Sequence, residues 1–272
     1  METSLLNLPA LKREDRRGMF PGYRESSLTE RRIQPKRAIT PSLYTILDTF
    51  GAFPPYSLVI GLSKDGLPFM LDLDNPKSGS ILVVGETGSG KTQLLKVVST
   101  SACLLNNPQN VSLHVISKKA NEYTGLFNFP HCQTLLDPYD RAAGEMVIEL
   151  ASITEQRRTG RELGSMMMLI IDDYSGISRM LSDYSVYLNL KTLVSRGPKS
   201  GIWPIISINP NDVHEEIGHL LRSFGTYIFE RSTNQTQFAP THNQAIDSRD
   251  DFNASFDVII GGRLNPIINL SV

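Results

Sequence analysis

Cysteine is almost absent from this 272-residue chain: Cys103 and Cys132 are the only two, and neither stands at a spacing that groups it with other metal ligands. That argues against a disulfide framework and against a zinc site. Charge of one sign is lacking as well. The formal net charge is −1, so any contact with nucleic acid has to come from local clusters rather than a global field. No apolar stretch reaches the length of a membrane span, and the N-terminus lacks the basic-then-apolar order of a secretory signal. The expectation is a cytoplasmic protein with no membrane partner. Internal repeats and low-complexity blocks are also missing, while 40% apolar and 20% charged residues are ordinary for a globular protein of this length.

What is present is concentrated in one stretch. Gly85-Glu86-Thr87-Gly88-Ser89-Gly90-Lys91-Thr92 spells G-x-x-x-x-G-K-[ST], preceded by the apolar run Ile81-Leu82-Val83-Val84 and followed by Gln93-Leu94-Leu95-Lys96-Val97-Val98, which reads as a helix. Phosphate oxygens need several backbone N–H donors aimed at one spot, and only a loop tolerant of unusual dihedrals wraps that closely. Gly85, Gly88 and Gly90 supply that tolerance. Lys91 is expected to place its charge on the β/γ-phosphates and Thr92 to offer a hydroxyl to Mg²⁺, with the helix N-terminus directed at the anion. The candidate ATP-binding set is therefore Gly85, Glu86, Thr87, Gly88, Ser89, Gly90, Lys91, Thr92 and Gln93.

The rest of the chain reads as an α/β domain with a mainly parallel sheet. Apolar runs at Val111–Ser117, Met166–Ile171, Ile202–Ile208 and Tyr227–Phe229 alternate with helical stretches from Ala142 to about Arg158, from Tyr184 to Arg196 and near Val213–Arg222. Two hairpins flank this pattern. Ser57–Gly61 and Leu67–Leu71 surround Lys64-Asp65-Gly66, where the hairpin is placed to cover the adenine side; Asp257–Gly262 and Pro266–Leu270 surround a glycine turn. Residues 1–45 are set apart as a basic N-terminal arm, leaving 46–272 for the ATPase domain. From Lys12 to Arg37 nine basic residues face four acidic ones, a local balance of +5. Such a segment clamps a neighbouring subunit or nucleic acid, or is a solvated tail.

The run Met166–Ile171 ends in Asp172-Asp173. A strand ending in acid is the companion a phosphate loop needs: Asp172 is expected to hold the Mg²⁺ shell and Asp173 to polarise the attacking water. Many ATPases carry glutamate in the second position. Aspartate is one methylene shorter, which sets its carboxylate back by about 1 Å, a misplacement that costs roughly a hundredfold in rate. Slow hydrolysis, or an extra water that bridges the gap, is the expected consequence. Asn209 closes the next strand, where it either senses the γ-phosphate or starts the Pro210 turn. The catalytic candidates are thus Lys91, Asp172, Asp173 and Asn209, with Thr92 and Asp172 on the metal. Arg179, Arg196, Arg222 and Arg231 are candidate arginine fingers, and Lys118, Lys119 and Arg179 candidate contacts to a phosphate backbone.

The order of these motifs resembles the FtsK/HerA superfamily, and more closely its FtsK/SpoIIIE branch, over about residues 58 to 270. Ile60-Gly61-Leu62-Ser63-Lys64-Asp65-Gly66 followed by Leu71-Asp72-Leu73 is similar to the family's lead-in to the phosphate loop. Val115–Lys119 with Phe129-Pro130-His131 is similar to its "D-P-K…I-P-H" segment, and Ser195–Ile202 to its "R-K-G-R-A-A-G-I" run. Ser207-Ile208-Asn209-Pro210 falls where the family reads "A-T-Q-R-P". The resemblance implies a RecA-like P-loop NTPase fold and assembly as a homo-oligomer, a hexameric ring with composite sites. It also implies ATP-driven movement of double-stranded DNA. Ser117 for aspartate, Asp173 for glutamate, Asn209 for glutamine and Pro198 for an arginine are its departures, and the last three leave open a second expectation: a nucleotide-dependent assembly or switch ATPase with weak hydrolysis and a protein client.

Overall fold

The computed structural model describes residues 40–160, 164–173, 183–213, 215–231, 233, 238 and 254–272. The arm and Arg179 lie outside them. Residues Ile39–Val272 form one compact unit. Its first helix, α1 (Leu43–Phe50), spans the position at which the sequence placed the arm boundary; Leu43 and Ile46 bury against Val59, Val97 and Leu270, so this turn belongs with the domain.

Among the described residues ten strands form, most of them on the apolar runs. β1 (Ser57–Leu62) and β2 (Pro68–Asp72) pair antiparallel as a separate ribbon. The main sheet has eight strands: β3 (Ile81–Val84), β4 (Val111–Ser117), β5 (Cys132–Leu136), β6 (Met166–Asp172), β7 (Ile202–Ile208), β8 (Thr226–Glu230), β9 (Phe256–Ile260) and β10 (Arg263–Ile267), in the order β10-β9-β8-β3-β7-β6-β4-β5. β8 through β5 in that order run parallel. The terminal hairpin continues the same sheet antiparallel rather than standing beside it. The RecA-like P-loop arrangement is present, with one strand, β7, between the strand that feeds the glycine loop and the strand that ends in acid.

Period-two alternation explains why the central strands are apolar throughout. Register aligns Ile81, Ile205, Ile170 and Val115 in one row and Leu82, Ile206, Ile171 and Ile116 in the next. The first row joins the core under α2 (Lys91–Leu105) and β1; the second joins the core under α3 (Arg141–Arg158), α4 (Tyr184–Arg196) and α5 (Glu215–Leu221). Both faces are covered, as parallel sheets require. Each of these fully buried aliphatics contributes roughly 1.5–3 kcal/mol on leaving water.

The β1–β2 ribbon packs on α2. Ser101 Oγ in α2 donates to the Val59 carbonyl and accepts from the Val59 N–H, both at 3.1 Å. The chain's last residues tie the same corner together: Ser271 N–H donates to Pro41 O at 2.9 Å, and Leu43 N–H to Ser271 O at 2.8 Å. Among the described residues no helix is long and apolar enough to cross a membrane.

β8 reaches β3 through a crossing of two glycines. A Cβ on Gly225 would lie 2.6 Å from Ser78 O and 2.7 Å from Gly79 Cα, both backbone atoms that cannot yield. Gly225→Ala is expected to destabilise the domain by roughly 1–3 kcal/mol. Gly125→Ala, which meets nothing within 4 Å, should change stability by less than about 0.5 kcal/mol. Thermal unfolding of the two variants side by side checks the contrast.

Candidate nucleotide-binding site

Parallel order brings the carboxyl ends of β3, β4, β6 and β7 to one edge, where open α/β sheets form their ligand crevice. A cleft of about 560 Å³ opens there, lined by Thr87, Gly88, Gly90, Lys91, Thr92 and Gln93 from the loop and α2. Ser117, Lys118, Lys119, Glu122, Asp172, Asp173, Asn209 and Asp212 line its remaining walls. Lys91, Thr92, Asp172, Asp173 and Asn209 thus share one cavity, although more than a hundred residues of sequence separate the first from the last.

The loop has the features a polyphosphate needs. Gly88 and Gly90 have φ of +87° and +94°, in the region that favours glycine. Gly90 caps α2, which has no side-chain cap and no acid in its first turn, so the first-turn N–H groups point into the cleft uncompeted. Ser89 Oγ is buried with no hydrogen-bond partner among the described residues. Lys91 Nζ donates to the carbonyls of Gly85 (2.7 Å) and Glu86 (2.8 Å). Partial burial lowers the Lys91 pKa from its ordinary value, while the charges of Asp172, Asp173 and Glu230 oppose that shift. These residues fit a nucleoside triphosphate.

Not every loop residue faces the cleft. Gly85 lies behind it, where an added Cβ would meet Ser89 Oγ at 2.6 Å and the Glu230 side chain at 3.0 Å. The Glu86 N–H donates to Glu230 Oε2 at 2.9 Å, which braces the loop from the end of β8. Gln93 borders the cleft but gives its amide to Leu270 O at 3.2 Å.

On the opposite wall Asp172 is only 4% exposed. Its Oδ2 accepts from Tyr123 Oη at 3.0 Å and its Oδ1 from Ser207 Oγ at 2.9 Å. Burial raises the Tyr123 phenol pKa, so the hydroxyl stays a donor. Ser207 Oγ also accepts the Asp173 N–H at 2.8 Å. Asp173 itself has φ of +71°. For a residue with a Cβ that conformation costs on the order of 1–2 kcal/mol, a penalty that clusters at functional sites. The acid pair therefore leaves β6 through a bent backbone step.

Asn209 divides its carboxamide. Oδ1 accepts from the Asn211 N–H at 3.0 Å, starting the turn at Pro210, while Nδ2 donates to Thr87 Oγ1 in the glycine loop at 3.3 Å. The turn at Pro210 and the approach to the glycine loop are thus made by the same carboxamide. Lys118 and Lys119 border the nucleotide cleft: Lys118 Nζ stands 5.3 Å from the centre of the Tyr139 ring, whose hydroxyl raises the lysine's pKa, and Lys119 pairs with Glu122 at 3.7 Å. Among the arginines, Arg196 pairs with Glu155 at 2.8 Å, Arg231 approaches Asp257 at 4.0 Å and Arg222 is exposed. No described arginine lines the cleft.

Sequence reasoning missed Tyr123, Ser207 and Glu230. Tyr123 sits in a 3₁₀ segment, Ala120–Asn128, without apolar period. Ser207 is set opposite Asp172 by the β6–β7 register, which pairs Ile171 with Ile206 one residue earlier and which no local sequence signal supplies.

The model of the FtsK/SpoIIIE family matches residues 54–199, more than half of the chain. The chain belongs to the FtsK/SpoIIIE family. The match takes in the glycine loop and Asp172-Asp173 and stops before β7. Among FtsK/SpoIIIE-type relatives, the ESX-5 secretion system protein EccC5 of Mycobacterium marinum is 25% identical over 53% of this chain and 12% of its own length. The DNA translocase FtsK of Mycobacterium leprae is 31% identical over 38% of this chain, again 12% of its own length. This chain thus spans about an eighth of either relative. The fold is shared with the cytoplasmic domain of the Thermomonospora curvata type VII secretion ATPase EccC, with a TM-score of 0.66 at 15% identity over 86% of this chain and 32% of that one. The pCW3 conjugation coupling protein TcpA, a monomer form with ATPγS, gives a TM-score of 0.60 at 16% identity over 82% of this chain and 68% of that one.

Lys91→Ala removes the one cation that the loop holds beside its own carbonyls. A charged hydrogen bond contributes roughly 1.5–3 kcal/mol, so affinity for a fluorescent ATP analogue is expected to fall about ten- to a hundredfold. A titration by fluorescence anisotropy reads this directly, with the melting temperature held near that of the parent.

Proposed function

We propose that this FtsK/SpoIIIE-type domain binds and hydrolyses Mg²⁺·ATP as part of an oligomeric ring, a hexamer in the family pattern, and uses the energy to move double-stranded DNA. The observation that carries the reading is the facing of Lys91 and Thr92 by Asp172 and Asp173 across one cleft, with Asn209 joined to the loop. When bound, Mg²⁺·ATP supplies an activated γ-phosphoryl group whose charge the metal helps to neutralise. The Thr92 hydroxyl and the Asp172 carboxylate hold the metal shell. Lys91 exchanges its loop carbonyls for phosphate oxygens, Asp173 accepts a proton from the attacking water, and the Asn209 amide orients that water or the γ-phosphate. Such a metal site draws most of its ligands from phosphate and water, so two protein oxygens suffice.

The DNA client is supported by the likeness to the M. leprae translocase and by the +5 balance between Lys12 and Arg37. A protein client is the second reading. It is favoured by the likeness to EccC5, which extends over a larger share of the chain, and by a net charge of −1.

Steady-state ATP turnover of the purified chain, with and without linear double-stranded DNA, separates the two. The DNA reading expects a several-fold rise in turnover; indifference to DNA overturns it and leaves the protein client. Asp173→Asn should lower turnover by at least about a hundredfold while nucleotide binding persists, because a general base contributes roughly 10²–10⁴ in rate. Loss of binding in step with turnover would count against the assigned role.

A further inference from the structure

We propose that Ser207 is a positioning residue that lets the short Asp173 serve as the catalytic base, by fixing the backbone bend at Asp173 and the carboxylate of Asp172 with one hydroxyl. The inference rests on the hydrolysis reading above. Ser207 is fully buried near the end of β7 and lies beyond the residues matched by the family model. A serine hydroxyl has one proton to give. Here it goes to Asp172 Oδ1, while a lone pair of the same oxygen takes the Asp173 N–H. One oxygen therefore sets two variables: the rotation of the metal-side carboxylate and the direction in which the chain leaves β6.

The second variable is the one the chemistry needs. Asp173 carries a carboxylate set back relative to glutamate, and its φ of +71° departs from the extended course of the strand before it. A bent backbone re-aims a side chain that is too short to reach by its own rotamers. Holding the N–H at 2.8 Å keeps the bend populated. Tyr123 fixes the other oxygen of Asp172 at 3.0 Å, so Ser207 does not have to hold that carboxylate alone, and its removal should be felt most at Asp173. Two residues further along β7, Asn209 Nδ2 contacts Thr87 in the glycine loop at 3.3 Å. The end of β7 is thus joined to both halves of the site.

The test compares the parent chain with Ser207→Ala, Ser207→Thr, Asp173→Glu and the double variant Ser207→Ala/Asp173→Glu. It reads kcat and KM for ATP, affinity for a fluorescent ATP analogue with Mg²⁺ and with EDTA, and melting temperature. In Ser207→Ala, kcat should fall roughly ten- to a hundredfold, the scale of an ångström-sized misplacement, with KM and EDTA affinity within about threefold. Ser207→Thr, which keeps the hydroxyl, should recover most of the loss. In the Asp173→Glu background the same removal should cost less than about threefold, since the longer acid reaches without being aimed. Unchanged kcat in Ser207→Ala overturns the proposal. So does an equal loss in both backgrounds, or a loss matched by collapse of EDTA affinity and melting temperature. A parent chain that binds ATP but never hydrolyses it overturns the functional reading and the role given to Ser207 with it, whereas hydrolysis by the parent with unchanged kcat in Ser207→Ala overturns the Ser207 proposal alone.

Discussion

Burial of the Asp172 carboxylate governs the site. A charge held at 4% exposure costs several kcal/mol unless neighbours hydrogen-bond it and an opposite charge faces it. Each neighbour comes from a different element: Tyr123 from the 3₁₀ segment after β4, Ser207 from β7, and the Lys91 ammonium from the start of α2. Moving Tyr123 or Ser207 leaves an oxygen of this buried carboxylate without its donor. The parallel register of β3, β7 and β6 is what brings them together, since a slip of one residue would turn Ser207 to the wrong face.

The same register holds the glycine loop from both sides. Glu230 at the end of β8 takes the Glu86 N–H, and Asn209 at the end of β7 meets Thr87. The loop is therefore bracketed by the two strands that flank β3 in the sheet. Its glycines supply conformational freedom, and the brackets restrict that freedom to one cradle. Preorganisation of this kind matters because donors fixed in advance require no rearrangement when charge develops on the phosphate.

How much of this was legible in the sequence follows from the range of the interactions. The glycine loop was readable from its G-x-x-x-x-G-K-[ST] spacing, β4, β6 and β7 from their apolar runs with turn residues on either side, and the strand that ends in Asp172 announced the acid pair. β5 escaped because Cys132-Gln133-Thr134-Leu135-Leu136 mixes polar and apolar positions at a sheet edge that is only partly buried. α1 escaped because its apolar face finds its partners at Val97 and Leu270, far along the chain. Tyr123 and Ser207 were invisible for the same reason. A tyrosine in an aperiodic segment and a serine in an apolar strand carry no local mark, and only register makes them neighbours of Asp172.

The two halves of the site also depend on different kinds of structure. Binding of phosphate rests on backbone N–H groups and one lysine, which the glycine loop and the start of α2 supply within a few residues. In the proposed mechanism activation of water rests on side-chain reach, and the backbone step at Asp173 is bent and held by a hydroxyl from another strand. Local sequence can keep the first intact while long-range packing tunes the second. Among the residues lining the cleft, those given chemical roles act on nucleotide, metal or water in the proposed mechanism, so neither half of the site specifies a client.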